Sequence, residues 1–313
     1  MKRLIDCNAS DFKGLPSSAL KQAIRLSEGR TIVAEVVATL SPLIDKVSNA
    51  ELAAAFGADL VLLNLYDLRH PQVAGMPAKR AGQADAIIPP RFGQAASGEG
   101  QTLADVQRWI GRPVGVNLEP IEGPSGASEA GRLATPENGR LAVQQGAAFI
   151  VLTGNPGTGV TSAGIARSAQ AIRLEIGEAA LLLAGRIHGA GSDGPVVSQG
   201  DVEAYVEAGA DGVVLPAPGT VPGMTLEACR ALVERAHQLG GLAMCAIGTS
   251  QEGASRSTVE QIALMSKMAG ADLHHIGDSG TIGIAVPENI YTFSLAIRGR
   301  RHTWHRMAAS SER

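Results

Sequence analysis

Apolar residues along this chain fall into short, nearly unbroken runs that open at a Gly turn and close on small or polar residues. Four of them repeat one phrase: "AFGADLVLLN" (55–64), "QGAAFIVLTGN" (145–155), "EAGADGVVLPAPG" (207–219) and "MAGADLHHIGDSG" (268–280). Each reads as a helix end, a turn and a strand. Four further runs lie between them: "RTIVAEVV" (30–37), "PVGVNLEP" (113–120), "LLLAGRIH" (181–188) and "LAMCAIGTS" (242–250). Helical periodicity fills the gaps near 49–56, 102–110, 136–145, 162–177, 198–208, 225–239, 257–269 and 287–297. Thr102, Ser198 and Ser257 suit N-caps, and Pro136 and Pro287 suit a first helical turn.

Strands without an apolar/polar alternation are buried on both faces, which alternating helices accomplish for a parallel sheet. Eight such units predict an α/β fold closed into a (β/α)8 TIM barrel. A doubly wound sheet is the weaker alternative, because it seldom needs eight evenly spaced units. The whole of 1–313 is read as one barrel domain, with three additions. Residues 1–29 contain an amphipathic stretch, "PSSALKQAIRLSEG", expected as an extra helix over one end. Residues 68–100, after the second strand, are far longer than a usual βα loop and are expected to form a lid. The basic end, 299–313, is expected to be a solvated tail or a subunit contact.

Composition narrows the class. Hydrophobic residues make up 45%, charged residues 18% and aromatics 3% of the 313 residues, so the core is aliphatic. A formal net charge of −3 gives no reason to expect nucleic acid. No 18-residue apolar stretch or signal core predicts a membrane partner. Cys7, Cys229 and Cys245 lack metal spacing and suit a reducing, cytoplasmic setting. Homo-oligomerisation is expected.

Polar residues inside the apolar runs locate the chemistry. Side chains alternate along a strand, and an ionisable group is tolerated better at the mouth of a barrel than against the helix layer. Glu35, Asn64, Asn117, Glu119, Thr153, Asn155, Arg186, His188 and His275 are therefore expected to face one cavity. His274, by alternation, faces the helices. A Glu35–Arg186 pair could alternatively be structural. Barrels often bind phosphate at the loops after strands seven and eight, which here read "GTSQEG" (248–253) and "GDSG" (277–280). Gly248, Thr249, Ser250, Gly277, Ser279 and Gly280 are the phosphate candidates. Asp278 would repel a dianion unless it points away or faces a metal. "GNPGTGVT" (154–161) is a rival anion loop.

Lys2, Lys13, Lys21, Lys46, Lys79 and Lys267 are the only lysines, and none lies on a predicted strand, which argues against Schiff-base chemistry. Acid–base chemistry is better supplied: Glu119 and His188 as base and acid, Glu35 as a second carboxylate, Arg186 to hold an anion. A divalent metal (Mg, Mn or Zn) on Glu119, His188 and Asp67 is the other option. No nucleotide cofactor is expected, because neither a Walker A loop nor an opening GxGxxG is present.

The text "LIDCNASDF", "SNAELAAAFGAD" (48–59), "GRPVGVNLEP" (111–120), "LTGNPGTGVT" (152–161), "HGAG" (188–191), "PAPGTVPG" (216–223), "AIGTSQEGA" (246–254), "HIGDSG" (275–280) and "AIRGRRHTWHRMAAS" (296–310) resembles a bacterial barrel family. Its members carry phosphoenolpyruvate phosphonomutase-like or haloacid dehalogenase-like hydrolase labels. The resemblance implies a TIM-type barrel over nearly the whole chain and no residue roles. The hydrolase label implies a Rossmann-like fold with a DxD motif after the first strand, where this chain reads "AEVVATLS". The expected function is an enzyme of a small anionic metabolite, phosphorylated or carboxylated, with lyase or isomerase chemistry through an enolate. The alternatives are a metal-dependent phosphoenolpyruvate mutase-like lyase and a non-catalytic ligand-binding barrel.

Overall fold

Every apolar run of the sequence becomes a parallel strand in the computed structural model, which describes residues 2–80, 83–88, 96–122, 130–189, 195–278 and 282–313. In chain order the elements are α1 (Ser17–Leu26), β1 (Thr31–Val37), α2 (Asn49–Ala55), β2 (Leu60–Asn64), β3 (Ala78–Arg80), β4 (Gln83–Ile88), α3 (Leu103–Ile110), β5 (Val114–Leu118), α4 (Pro136–Gln144), β6 (Phe149–Leu152), α5 (Ser162–Ile176), β7 (Leu181–Gly185), α6 (Gln199–Glu207), β8 (Gly212–Pro216), α7 (Leu226–Gln238), β9 (Leu242–Ile247), α8 (Arg256–Ala269), β10 (Leu273–Ile276) and α9 (Pro287–Ala308). Eight of the strands close in the order β1-β10-β9-β8-β7-β6-β5-β2, a TIM barrel, while β3 and β4 pair antiparallel outside it. Closure excludes the Rossmann-like fold that the hydrolase label implies.

The barrel wall separates two apolar cores. Outside it, Ile32, Ala34, Val61, Leu63, Val116, Ile150, Leu182, Val213 and Cys245 pack against the helices. Inside, Val33, Leu60, Leu62, Phe149, Val151, Leu181, Leu183, Val214, Leu242, Met244 and Leu273 fill the lumen. The N-terminal extension closes the floor, because Leu4, Phe12, Leu20 and Ile24 join the inner core. Its helix α1 thus lies across the amino-terminal end of the strands. Strand carboxyl ends are left for chemistry.

Helix starts follow local rules. Ser48, Thr102 and Ser198 each accept from the N3 amide while Glu51, Asp105 and Asp201 return the bond to the cap amide. Pro136 and Pro287 occupy the first turn as expected. Ser257 is not a cap: α8 starts one residue earlier, and Ser255 accepts from Thr258. A Ser-Arg-Ser run offers two caps, and the helix took the earlier one, which lengthens it by two residues.

The lid expected over 68–100 falls partly outside the described residues; in the part described, Leu68, Val73 and Met76 join the outer core and Gly75 donates to the Ala96 carbonyl at 2.8 Å. None of its described residues lies on the cavity wall detailed below. The basic end is folded: Arg300, Arg301 and His305 are exposed, but other side chains of it are not. Helix α9 runs to Ala308 across a break at Gly299 (φ 71°), and Arg306 and Thr303 are fully buried. Among the described residues, no helix is long and apolar enough to cross a membrane.

Candidate active site at the mouth of the barrel

A cavity of about 240 Å³ opens at the carboxyl ends of the strands. Its wall carries Glu35, Asn64, Asn117, Glu119, Thr153, Asn155 and His188, all expected from the sequence, together with Gly248, Gly277 and Asp278. A larger cavity of about 550 Å³ lies at the other end of the barrel, beside Phe12, Gly146 and Ala179. It is walled mainly by small and backbone groups, and the reactive side chains converge at the mouth instead.

Glu35 is the third inward position of β1, after Thr31 and Val33. Strand register places His275 of β10 opposite Val33, one layer deeper, so the imidazole reaches up to the carboxylate. Their Nε2···Oε2 distance is 3.0 Å, and the side chains are only 3% and 8% exposed. Burial pushes the Glu35 carboxyl up; the His275 contact pulls it partly back, and the charge of Asp278 adds to the rise. His275 Nδ1 has no hydrogen-bond partner. His275 lies under the cavity floor and acts on Glu35, not directly on a ligand.

The adjoining wall, on β2 and β5, is built from amides. Asn64, at the end of β2, donates through Nδ2 to Asp278 Oδ2 at 3.0 Å and accepts from the Leu65 amide at 2.9 Å. Asn117 of β5 donates through Nδ2 to Asn64 Oδ1 (3.4 Å) and to the Thr153 carbonyl (3.3 Å). Its Oδ1 and the Thr153 hydroxyl, both buried, are without partners. Glu119 continues the inward parity of Asn117 one step beyond β5. Arg132 Nε lies 3.8 Å from it. Asn155 sits at the exposed rim, its Oδ1 taken by the Gly157 amide at 2.8 Å. His188 is half-buried on the wall; burial lowers its pKa, and the positive charge of Arg186 lowers it further. It is neutral at neutral pH.

Arg186 is a correction. Leu181 and Leu183 point in and Leu182 and Ala184 point out, so Arg186 continues the outward set and is not on the cavity wall. Its charge acts on Tyr205 of α6, on the helix side of the barrel. Ile187 takes the inward place, and His188 reaches the cavity only because β7 has already ended at Gly185. Glu35 therefore pairs with His275 and not with Arg186.

The phosphate candidates are also rearranged. Gly248 and Gly277 line the cavity, but a Cβ would fall 2.3 Å from Ile187 Cδ1 at the first and 2.6 Å from the Ile247 carbonyl at the second. Close packing accounts for both glycines. Thr249 spends its hydroxyl on the Thr220 carbonyl (3.0 Å) and on Gln251 Oε1 (2.9 Å). Ser250 is exposed in a left-handed turn (φ 67°). Ser279 and Gly280 lie outside the described residues. Asp278 faces the cavity, so the repulsion anticipated for a dianion applies there.

The metal set is not gathered. Asp67 accepts from the Arg69 amide at 2.7 Å and faces His70 Nδ1 at 3.3 Å, away from the cavity wall. Among the described residues no three His, Cys, Asp or Glu side chains stand close enough to hold an ion. His274 faces the helices as expected: its Nε2 meets the Gly29 carbonyl at 2.9 Å, its ring stands edge-on to Phe293, and burial pulls its pKa down to about 4.

Asp278 and Arg132 entered the site without a positional signal of their own. Asp278 follows β10 by two residues and was visible only as an acid in a glycine turn. Arg132 reaches Glu119 from a loop 13 residues away, which no spacing rule anticipates.

The barrel and its acid–amide mouth define the class; the family follows from comparison. Residues 5–313 match the family described as a domain of unknown function, DUF7916, and the chain belongs to it. A comparison with curated proteins finds no match. Among solved structures the chain is similar to a thiamine phosphate pyrophosphorylase from Pyrococcus furiosus, at 14% identity and a TM-score of 0.47, covering 87% of this chain and 97% of that one. It is similar also to a 2,3-dimethylmalate lyase, described as a PEP mutase/isocitrate lyase superfamily member, at 18% identity and a TM-score of 0.47, covering 83% and 80%. These values are too low for either protein's chemistry to transfer to this chain.

Proposed function

We propose that this protein is an enzyme that moves a proton on a small polar metabolite held in the mouth of the barrel, as an isomerase or a lyase acting next to a carbonyl. The observation that carries the reading is the buried Glu35 carboxyl, raised by its surroundings and oriented by His275 at 3.0 Å. A proton-transfer catalyst needs a pKa moved towards the working pH and a fixed orientation; burial moves the Glu35 carboxyl upward and the hydrogen-bonded neighbour orients it. Glu35 is the base. His188, neutral and across the cavity, returns the proton or polarises the carbonyl, and Glu119 is the second carboxylate on the wall. The Asn64–Asn117 amides and the Thr153 hydroxyl orient the ligand. Arg186 is given no direct part, because it is not on the cavity wall. No step runs through a metal, since Glu119, His188 and Asp67 are not assembled around a common point.

The test is proton exchange with solvent. Small hydroxy-, keto- and amino-metabolites are incubated with the protein in D2O and followed by proton NMR. Deuterium enters the carbon beside the carbonyl with the parent protein, and general-base catalysis predicts exchange about 10²-fold slower or worse in Glu35→Gln. Equal exchange in parent and variant sinks the proposal. A compound that binds in the mouth without any exchange supports a ligand-binding barrel instead.

A further inference from the structure

Asp59, which precedes β2, is outnumbered by guanidiniums. Arg112, Arg298 and Arg306 share its buried network, and none of the four residues is more than 7% exposed. Asp59 meets Arg298 Nη1 at 2.5 Å and Arg306 Nε at 2.7 Å. Arg112 donates to carbonyls instead, through Nη1 to Gly111 (3.0 Å) and through Nη2 to Arg306 (2.6 Å), and its Nε has no hydrogen-bond partner among the described residues. Carbonyl oxygens satisfy N–H groups but bring no net charge, so three cations share one carboxylate. Burial and then the charge of Arg306 push the Arg112 pKa down to about 10, against the pull of Asp59. Arg112 therefore stays charged at neutral pH, and a buried charge without a counter-ion is costly until one arrives.

Arg112 is also on the wall of a cavity of about 240 Å³ between α2, α3 and the end of α9, at the amino-terminal end of the strands and away from the mouth. Trp109, 40% exposed, gives this wall a flat apolar side together with Ile110 and Met307, and Ser311 adds a hydroxyl. The one carboxylate among the described residues of the wall, Glu51, is engaged with the Ser48 amide (2.9 Å) and hydroxyl (2.7 Å). We infer that this cavity binds a small monocarboxylic acid with a flat apolar body, its carboxylate answering Arg112 and its body lying against Trp109. A carboxylate matches a guanidinium in both charge and hydrogen-bond geometry. A dianion such as phosphate meets more repulsion from Glu51 and offers the indole no apolar face. The site is independent of the reaction proposed at the mouth.

Benzoate tests it on the full chain, with benzyl alcohol, benzylamine, acetate and inorganic phosphate as separate comparison probes. The chain has two tryptophans, so a proton–nitrogen correlation spectrum carries two indole N–H signals, and the one missing from Trp109→Leu belongs to Trp109. Benzoate shifts that signal saturably, whereas benzyl alcohol and benzylamine leave it in place. Acetate, which lacks the ring, binds about 3- to 10-fold more weakly, and phosphate more weakly still. Affinities of the variants are read by ligand-observed saturation transfer. Arg112→Lys, which keeps a cation but removes the planar fork, weakens benzoate by about 10- to 100-fold. Trp109→Leu weakens it by about 3- to 10-fold. Circular dichroism melts verify that each variant is folded; should Arg112→Lys fail to fold, the exposed Trp109→Leu decides alone. An unmoved Trp109 signal, benzyl alcohol or phosphate binding as tightly as benzoate, or unchanged benzoate affinity in a folded variant overturns the inference.

Discussion

Glu35 sits where the fold would be more stable without a charge. Because burial raises its carboxyl above the ordinary value of 4.5, its contribution to stability is complete below that value and is lost as pH rises through the raised one. Glu35→Gln, which keeps the shape and removes the titration, should therefore melt at or above the parent at pH 7, with the advantage shrinking towards pH 4. Melts of both proteins at the two pH values measure it, and an advantage that grows on acidification refutes the assignment. Activity is expected to move the other way, as residues kept against stability usually serve function. Most of this wall was legible residue by residue, since Glu35, Asn64, Asn117, Glu119 and Thr153 all stand on the parity of their strands. Arg186 misled because alternation was counted back from a charge assumed to face inward. The neighbouring Leu181 and Leu183 already held that parity.

At the scale of elements, the strands were readable because burial on both faces leaves an unbroken apolar run, and the helices because caps such as Thr102 and Ser198 are local. Packing between elements was not. Gly115 of β5 pairs in register with Phe149 of β6, and a Cβ at Gly115 would fall 2.4 to 2.6 Å from the Phe149 ring inside the barrel. Gly115→Val should destabilise by about 1–3 kcal/mol or more through overpacking, read from urea unfolding. Likewise Leu20, on α1 under the barrel floor, is 2% exposed, so Leu20→Ala should cost about 2–5 kcal/mol. A loss under ~0.5 kcal/mol would mean that α1 merely rests on the surface.

At the scale of the whole molecule, one buried carboxylate ties the two ends of the chain to the barrel. Asp59, before β2, meets Arg298 Nη1 at 2.5 Å and Arg306 Nε at 2.7 Å, with all three side chains shielded from solvent. Arg306 also donates to the carbonyls of Leu4 (2.7 Å) and Cys7 (2.9 Å), and Arg112 donates to the Arg306 carbonyl at 2.6 Å. Burial opposes the ionisation of Asp59, but the two guanidiniums outweigh it and hold the carboxyl below its ordinary 3.8. Its stabilisation is therefore present above that value and is lost as pH falls below it. Asp59→Asn strands two buried cations and should cost about 3–5 kcal/mol at pH 7. The variant should also lose stability less steeply than the parent below pH 4, as acid titrations followed by circular dichroism would show. The "IRGRRHTWHR" end looked like solvated charge because the carboxylate that meets its Arg298 is 239 positions away in sequence. What the sequence alone determined was the eightfold alternation of strand and helix and the set of polar strand positions, because periodicity and capping act within a few residues. Only the tertiary structure decided that Glu35 answers to His275, that Arg186 stays off the cavity wall, that Asp278 joins the cavity and that Arg298 and Arg306 of the basic end are buried. Those outcomes depend on strand register and on contacts between distant segments, which exist only once the barrel has closed.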